Sequence, residues 1–267
     1  MLISKALNLK EKAFISLVGA GGKSTLFNRL AEELVLKKKR MILTTTTHMF
    51  TWQLTPFIKK GNLIEFNDEK IIEDNIKEYF HHNKIGEIVL IHHRIIEEEG
   101  EKVSGPAPLY LDKWWKEKLA DYFLIEADGA RRRPIKAPAS HEPVIPESTT
   151  DLIGVIGIEA IGLSLEEKNV FRPHIFSQLT GIKFGEKISL NAITTLIFHP
   201  QGLFKNAPLH SKCHLFINKV DNEIREKLAE ELVTQILRYN KKRIDDIIIG
   251  ATHQVTNPVI EVIKRVK

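Results

Sequence analysis

Three short segments of this 267-residue sequence combine residue types that can bind and activate a phosphorylated substrate. Residues 19–25 read GAGGKST, residues 126–129 read EADG, and residues 218–221 read NKVD. Glycine-rich backbone with a lysine suits a phosphate, paired acids suit Mg²⁺ or a water molecule, and asparagine, lysine and aspartate together suit a nucleobase. Because the segments are far apart in the chain, this chemistry depends on elements that bring them together.

The segment GAGGKST has the composition of a phosphate-binding loop. Its glycines allow successive backbone N–H groups to converge on an anion, because no Cβ stands in the way. Lys23 is expected to reach the terminal phosphates, Ser24 to ligate Mg²⁺, and Thr25 to lie at the positive end of the following helix. The predicted nucleotide-binding residues here are Gly19, Ala20, Gly21, Gly22, Lys23, Ser24 and Thr25, and Lys23 is also a predicted catalytic residue.

The loop is two residues shorter than the full pattern G-x-x-x-x-G-K-[ST], which would need a glycine where the chain has Leu17. The alternative interpretation of the shorter pattern is a glycine turn that binds nothing. An apolar strand precedes the turn, and a helical repeat of leucines follows it. That context favours phosphate binding.

The segment NKVD follows the apolar run HLFI and resembles the guanine-specificity motif of GTPases. Guanine presents N1–H and an N2 amino group side by side, so the Asp221 carboxylate can accept both. Two such hydrogen bonds, at about 1.5–3 kcal/mol each, would favour guanine over adenine by roughly 10²–10⁴. We expect the Lys219 stem to lie along the base and Asn218 to tie this loop to the phosphate loop. The alternative is an ordinary surface turn, and residues 250–252 are weaker candidates for contacts to the guanine carbonyl.

The segment EADG places two acids and a glycine at the end of the apolar run YFLI. Glu126 and Asp128 are predicted catalytic residues and predicted Mg²⁺ ligands with Ser24, and the residues alone do not say which acid does which. The N–H group of Gly129 is expected to contact the γ-phosphate. The alternative is that two acids merely end a strand.

A basic, proline-stiffened loop follows, with Arg131 to Arg133, Lys136 and His141 beside the acids. Arg131 is the predicted catalytic arginine, because a guanidinium can stabilise a phosphate during transfer. Two alternatives are that the loop holds an anionic substrate and that it is a solvated basic surface. Thr46, Thr47 and His48, after a β-branched run, are expected near the nucleotide, although a strand end explains them nearly as well. The histidines lack metal-ligand spacing, so no transition metal is expected.

Apolar runs alternate with amphipathic segments, which predicts an α/β fold with a mostly parallel sheet and helices on both faces. The predicted strands span 13–19, 40–47, 87–92, 122–127, 151–158, 213–218 and 245–251, and the predicted helices span 23–36, 71–81, 112–122 and 223–239, with a further helix at the C-terminus. We predict one domain over 1–267, with an embellished middle at about 50–121 and a proline-rich active-site loop at 130–150. A boundary near 150 is the alternative.

The composition indicates a chain that works outside membranes. Apolar residues make up 43%, and no uninterrupted apolar run approaches the length of a membrane span. A single cysteine, Cys213, fits a reducing compartment, so we expect a cytoplasmic protein. The net charge of +5 suits anionic small molecules, and the basic residues lack the interleaved aromatics of a nucleic-acid surface.

Two family resemblances follow from these motifs. The ordered set GAGGKS, EADG and NKVD is similar to the metal-centre and cofactor accessory branch of the P-loop GTPases, in which glutamate replaces the aspartate of D-x-x-G. Across most of the chain, VGAGGKSTL, TTTTHM, EADGARRRPIKAPASHEPVIP and INKVD resemble the selenium-dependent hydroxylase accessory protein family (YqeC).

The resemblances imply a P-loop NTPase-like fold, Mg²⁺, and GTP or ATP as substrate. They also imply a role in maturing selenium-containing molybdenum hydroxylases, with such a hydroxylase or its cofactor as partner. The shortened loop has the length found in Mur-type ligases, which leaves ATP open beside GTP. The alternative function is therefore an ATP-dependent ligase or kinase that acts on a small anion.

Overall fold

The alternating segments fold as strands and helices in a computed structural model, which describes residues 1–59, 61–66, 68–98, 100–239, 243–254 and 256–264. The strands are β1 (Ala13–Gly19), β2 (Arg40–Thr45), β3 (His48–Phe50), β4 (Leu63–Glu65), β5 (Gly86–Ile91), β6 (Arg94–Glu97), β7 (Gly100–Ser104), β8 (Tyr122–Glu126), β9 (Ile135–Lys136), β10 (Asp151–Gly157), β11 (Val170–Phe171), β12 (Lys212–Asn218), β13 (Asp246–Gly250) and β14 (Val259–Lys264). The helices are α1 (Ile3–Ala6), α2 (Lys23–Val35), α3 (Thr51–Leu54), α4 (Glu69–His82), α5 (Pro108–Lys116), α6 (Pro173–Thr180), α7 (Leu190–Phe198) and α8 (Glu223–Arg238).

Nine strands form one sheet in the order β14-β13-β12-β10-β1-β8-β2-β5-β4. Every neighbouring pair is parallel except β13 with β14. The carboxyl ends of β1, β8 and β12 therefore meet at one edge, where ligands of open α/β sheets bind. Strands from both sides of residue 150 share this sheet. Two small sheets, β9 with β11 and β3 with β7 and β6, lie beside it.

Strand β1 is buried along its whole length, and its successive side chains face opposite sides of the sheet. Ile15 and Leu17 share an apolar core with Leu26 of α2. On the other face, Phe14 stacks on Phe123 at 5.0 Å between ring centroids. Each such buried side chain contributes roughly 1.5–3 kcal/mol to folding.

Helices cover both faces of the sheet, because α7 and α8 pack with β10 on the face opposite α2. The predicted α/β class with a mostly parallel sheet is confirmed, and the arrangement is compatible with a P-loop NTPase-like fold. Among the helices of the described ranges, none combines the length and the apolar character that crossing a membrane requires.

Several predicted elements differ from the structure. The expected C-terminal helix is wrong, because Val259–Lys264 forms the antiparallel edge strand β14. Helix α5 begins at Pro108 and ends at Lys116 rather than spanning 112–122, since proline suits the first turn and Lys118 adopts a left-handed φ of 58°. Strand β2 ends at Thr45, two residues earlier than predicted.

Candidate functional site

Residues 19–25, the predicted phosphate-binding loop (below, the phosphate loop), turn sharply between β1 and α2 through three glycines with positive φ. Gly19, Gly21 and Gly22 have φ values of 93°, 84° and 115°. A Cβ on Gly21 would lie 2.1 Å from the backbone nitrogen of Gly157, and one on Gly19 would lie 2.3 Å from the carbonyl oxygen of Val155. Glycine is therefore required here by both backbone conformation and space.

The loop amides fall into two groups. The first group is bonded within the protein: Gly19 N–H donates to Asp128 Oδ2 at 3.0 Å, Ala20 N–H to the Val155 carbonyl, and Gly21 N–H to the Arg133 carbonyl. The second group, the amides of residues 22–25, opens helix α2 and has no acceptor among the described residues. These four residues line one cavity, so the positive end of α2 points into it.

Lys23 begins α2 and is 4% exposed. Its Nζ donates to the Gly19 carbonyl at 2.8 Å and lies 3.0 Å from Asp128 Oδ1 and 3.9 Å from Glu126 Oε1. Burial alone would lower the pKa of Lys23, but the carboxylates of Asp128 and Glu126 raise it above the usual value. The ammonium is therefore a fixed positive charge at the base of the cavity.

Asp128 is the centre of a buried ionic chain. Its Oδ2 accepts from Gly19 N–H and lies 3.0 Å from Nζ of Lys136. Lys136 in turn lies 2.7 Å from Glu142, which also pairs with Arg172. Burial would raise the pKa of Glu142, but the hydrogen bond from Arg172 and the charge of Lys136 lower it to about 2. The Asp128 carboxylate thus pairs with two lysines and accepts a hydrogen bond from a backbone amide.

Glu126 differs from Asp128 because it faces the cavity. Its Oε2 is buried and has no hydrogen-bond partner among the residues that the structure describes. Burial raises the pKa of Glu126 above its ordinary value, partly offset by the charge of Lys23. A buried carboxylate oxygen without a partner beside open amides is what a water molecule or a cation would satisfy.

The donors present fit Mg²⁺ through Glu126 and Ser24 rather than through Asp128. Ser24 Oγ lines the cavity and accepts a hydrogen bond from Gln53 Nε2. No group of three or more histidine, cysteine, aspartate or glutamate side chains suited to a metal occurs in the described ranges. Mg²⁺ typically binds one or two protein oxygens together with substrate phosphates, so two protein ligands, Ser24 and Glu126, are enough for it.

The Asn218 loop contacts the phosphate loop as expected. Asn218 Nδ2 donates to the Gly21 carbonyl at 2.9 Å, and its Oδ1 accepts from Thr252 N–H at 3.0 Å. The predicted tether between the two loops is confirmed. Ala251 N–H donates to the Pro258 carbonyl, so two of the three amides of residues 250–252 considered for a guanine carbonyl are already engaged.

Lys219 and Asp221 occupy different surroundings. Lys219 lines the cavity and pairs with Glu159. Asp221 is not among the described residues that line it, and its Oδ1 accepts from Nη1 of Arg225 at 2.7 Å. Asn218 therefore contacts the phosphate loop and Lys219 lines the same cavity, whereas the Asp221 carboxylate pairs with Arg225 of α8.

One cavity of about 470 Å³ collects most of the predicted residues. Its walls include Ala20, Gly21, Gly22, Lys23, Ser24, Thr25, Thr47, His48, Glu126, Gly129, Arg131 and Lys219. Thr46 is not on this wall, and its hydroxyl donates to the Val144 carbonyl. The sequence did not single out Phe50, Trp52, Gln53 and Phe171, which also line it. The aromatic residues Phe50 and Trp52 closely follow TTTTH in the sequence, but their contact with an arginine forms only when the chain folds.

The comparisons with known proteins agree with one another. A family model described as YqeC protein matches residues 15–174. The chain is also similar to the uncharacterized protein YqeC of Escherichia coli (strain K12), with 35% identity over 233 residues that cover 86% of this chain and 84% of that protein. No solved structure matches the chain. The family match includes residues 19–25 and 126–129, whereas residues 218–221 lie beyond it.

Proposed function

The chain belongs to the YqeC family, and from that premise we propose that it is a Mg²⁺-dependent nucleoside triphosphatase that acts as an accessory factor. One observation carries this proposal. The partnerless amides that open α2, the Lys23 ammonium and the Glu126 carboxylate all border a single cavity. That set offers donors to a polyphosphate and an acid to its cation or to an attacking water.

The proposed mechanism uses groups already in position. Lys23 exchanges its contact with Asp128 for the terminal phosphates, while Lys136 keeps Asp128 compensated. Ser24 and Glu126 would hold Mg²⁺, which when bound neutralises charge on the phosphates. The Gly129 amide and the Arg131 guanidinium border the same cavity and would stabilise charge on the transferred phosphate.

The direct test is a binding titration with GTP, ATP and their diphosphates in the presence of Mg²⁺, followed by assays of phosphate release. We expect Lys23→Met to weaken triphosphate binding by about tenfold to hundredfold, as expected for the loss of charge-assisted hydrogen bonds. Lys227→Met, at an exposed position of α8, is the matched control and should bind as the wild type does. Equal binding by both variants would remove the phosphate-loop assignment.

Guanine selectivity is the second element of the proposal. Asp221 would have to exchange Arg225 for the base, and the exposure of that ion pair makes the exchange inexpensive. Asp221→Asn should weaken GTP binding and improve binding of xanthosine triphosphate, because the amide can donate to the additional ring carbonyl. An unchanged preference in this variant would leave ATP as the substrate.

A second candidate function is an ATP-dependent ligase or kinase that acts on a small anion. It is favoured by the cations on the cavity wall, because Arg131 and Arg132 pair with no carboxylate in the described part of the chain. Phosphorus NMR of reactions with ATP or GTP and candidate acids or selenium compounds separates the two functions. A phosphorylated acceptor supports the ligase or kinase, and inorganic phosphate alone supports the triphosphatase.

The biological element of the proposal is maturation of selenium-dependent molybdenum hydroxylases, with the hydroxylase or its cofactor as partner. It rests on the family resemblance carried by residues 126–146. In cells that lack the protein, we expect hydroxylase activity and the selenium content of the purified hydroxylase to fall. The wild-type gene should restore both, and Lys23→Met should restore neither. Unchanged selenium content would argue against this role.

A further inference from the structure

The mouth of the cavity carries aromatic rings and a guanidinium that the proposed phosphate chemistry does not use. The Arg132 guanidinium carbon lies 5.3 Å from the ring centroid of Phe50 and 5.2 Å from that of Trp52. The two rings stack with 6.1 Å between centroids and 21° between planes. We call these three residues the arginine–aromatic platform. Trp52 remains 48% exposed, so a flat apolar surface stays accessible.

The backbone holds the platform in place from two sides. Phe50 ends β3 opposite Lys102 of β7, whose Nζ lies 5.0 Å from the Phe50 ring centroid. Arg131 and Arg132 have left-handed φ values of 44° and 57°, which are uncommon for residues other than glycine. Such conformations persist where the surroundings fix them, and they concentrate at ligand sites.

Neither Arg131 nor Arg132 pairs with a carboxylate of the residues that the structure describes. The guanidinium of Arg131 lies over the ring of Phe171, and that of Arg132 lies over the rings of Phe50 and Trp52. A guanidinium that lies over aromatic rings can still donate its N–H groups to a carboxylate or a phosphate. The platform therefore offers an exposed aromatic ring and anion-binding N–H groups together.

Hydrogen bonds link both halves of the platform to the phosphate loop. Gln53 Oε1 accepts from Phe50 N–H at 2.7 Å, and the same side chain donates to Ser24 Oγ. On the other half, the Arg133 carbonyl, next to Arg132, accepts from Gly21 N–H at 3.1 Å. The platform thus lies beside the proposed phosphate site.

The sheet order fixes on which side of that site the platform lies. Strands β12 and β2 each lie two strands from β1, in opposite directions, and β8 with Glu126 lies between β1 and β2. At about 4.8 Å per strand, the axes of β12 and β2 lie about 10 Å from that of β1, on opposite sides of it. A nucleotide with its base towards Asn218 would direct its terminal phosphate towards Glu126 and the platform.

We infer that the arginine–aromatic platform binds a second substrate, a planar aromatic molecule with a carboxylate or phosphate group. The anionic group pairs with Arg132 and the ring lies on Trp52. Binding of this molecule stands on the platform alone, whereas its place next to the terminal phosphate rests on the proposed function.

The test is calorimetric titration of the full chain with naphthalene-2-carboxylate, with and without Mg²⁺ and a non-hydrolysable GTP analogue. Decahydronaphthalene-2-carboxylate has the same charge without the aromatic ring, and 2-naphthamide has the ring without the charge. We expect only the aromatic anion to bind, and Trp52→Leu and Arg132→Gln each to weaken it by about tenfold. Phe184→Leu, at 47% exposure, and Arg238→Gln, on the exposed face of α8, are controls that should bind it as the wild type does.

Equal binding of the three probes, or equal loss in the control variants, overturns the inference. Melting temperatures equal to that of the wild type verify that the variants fold. If the GTP analogue abolishes binding of the aromatic anion, the platform is the site of the nucleobase and the second-substrate assignment is wrong. If the GTP analogue does not bind while the aromatic anion binds as expected, the platform assignment stands and the proposed triphosphatase function fails.

Discussion

At the carboxyl edge of the sheet, Asp128 lies between Lys23 and Lys136, at 3.0 Å from each ammonium. At the amino edge, His214 lies between Asp151 and Asp246, at 3.2 and 3.1 Å. Both groups are buried and both alternate charge. They differ in their surroundings, because only the carboxyl-edge group lies beside the cavity, where the neighbouring Glu126 carries an oxygen without a partner.

The difference separates an ionic group within the fold from one that borders the candidate site. Burial alone would lower the pKa of His214, but its contacts with Asp151 and Asp246 raise it above the usual value. The pKa of Asp246 is lowered, chiefly by its contact with His214. Each ring nitrogen of His214 thus lies within 3.2 Å of one of the two aspartates. At the carboxyl edge, Glu126 has a raised pKa and an open oxygen, which is the state expected of an acid kept ready for a ligand.

The largest effect that tests this comparison should come from Asp128→Asn. The amide keeps the shape but removes the negative charge between two buried ammonium groups. We expect the free energy of unfolding in urea to fall by about 3–5 kcal/mol. Glu11→Gln, which disrupts an exposed ion pair with Lys39, should cause no measurable change. A loss for Asp128→Asn as small as that of the control would show that the chain of buried charges does not stabilise the fold.

Gly21→Ala tests whether the backbone around the phosphate loop is too closely packed to accept a Cβ. Gly185 has nearly the same φ, 83°, but a Cβ there would meet nothing within 4 Å. Gly185→Ala should cost about 1 kcal/mol, which is the price of the left-handed backbone alone. Gly21→Ala should cost about 3 kcal/mol or more, since its Cβ also meets the backbone of Gly157. Equal costs in thermal unfolding would show that the loop can relax.

The ionic group of His214, Asp151 and Asp246 should make the stability of the protein depend on pH. Because the folded-state pKa of His214 is raised, its contribution is fully present below the unfolded pKa of about 6.5 and is lost as pH rises through the folded value. The free energy of unfolding should fall with a slope of up to about 1.4 kcal/mol per pH unit over that window. Urea unfolding from about pH 6 to about pH 9 measures it. His214→Gln should lack this slope, and a flat wild-type profile would contradict the prediction.

The smallest effect on stability should come from Glu126→Gln. The substitution removes a buried charge whose pKa is raised and which has one oxygen without a partner. We expect the free energy of unfolding at neutral pH to stay unchanged or to rise by about 1 kcal/mol, while nucleotide hydrolysis is lost. Thermal unfolding and phosphate release on the same preparation measure both quantities. A destabilised variant with normal hydrolysis would place Glu126 with the structural charges.

The central elements were predictable because several signals agreed. Strand β1 and the start of α2 at Lys23 match the sequence prediction, since an apolar run, glycines and a leucine repeat all point the same way. The same holds for the end of β12 at Asn218, where the amide also forms the expected tether. In these cases, the local sequence signals and the packing in the folded protein favour the same structure.

The elements that could not be predicted depend on distant partners. The segment VIEVIK is a short apolar run that suits a helix or a strand, and the open edge of β13 decides for the strand. Likewise, the Asp221 carboxylate lies on Arg225, one helical turn into α8, because the side chain of Asn222 caps that helix and so brings the arginine near. Phe50 and Arg132 meet only through folding of the small sheet beside the main one.

Asn218 has a consequence for how selectivity can change in this protein. Its single carboxamide, at the end of β12, hydrogen-bonds both to the turn after β1 and to the segment after β13, so one side chain ties together the ends of three strands of the sheet. If the chain binds a nucleotide as proposed, variation in residues 219–222 or 250–254 would alter the preferred base and leave phosphate binding intact, as long as this carboxamide is kept. Under the same proposal, loss of Asn218 would weaken both properties, so chains with an altered preference should retain it.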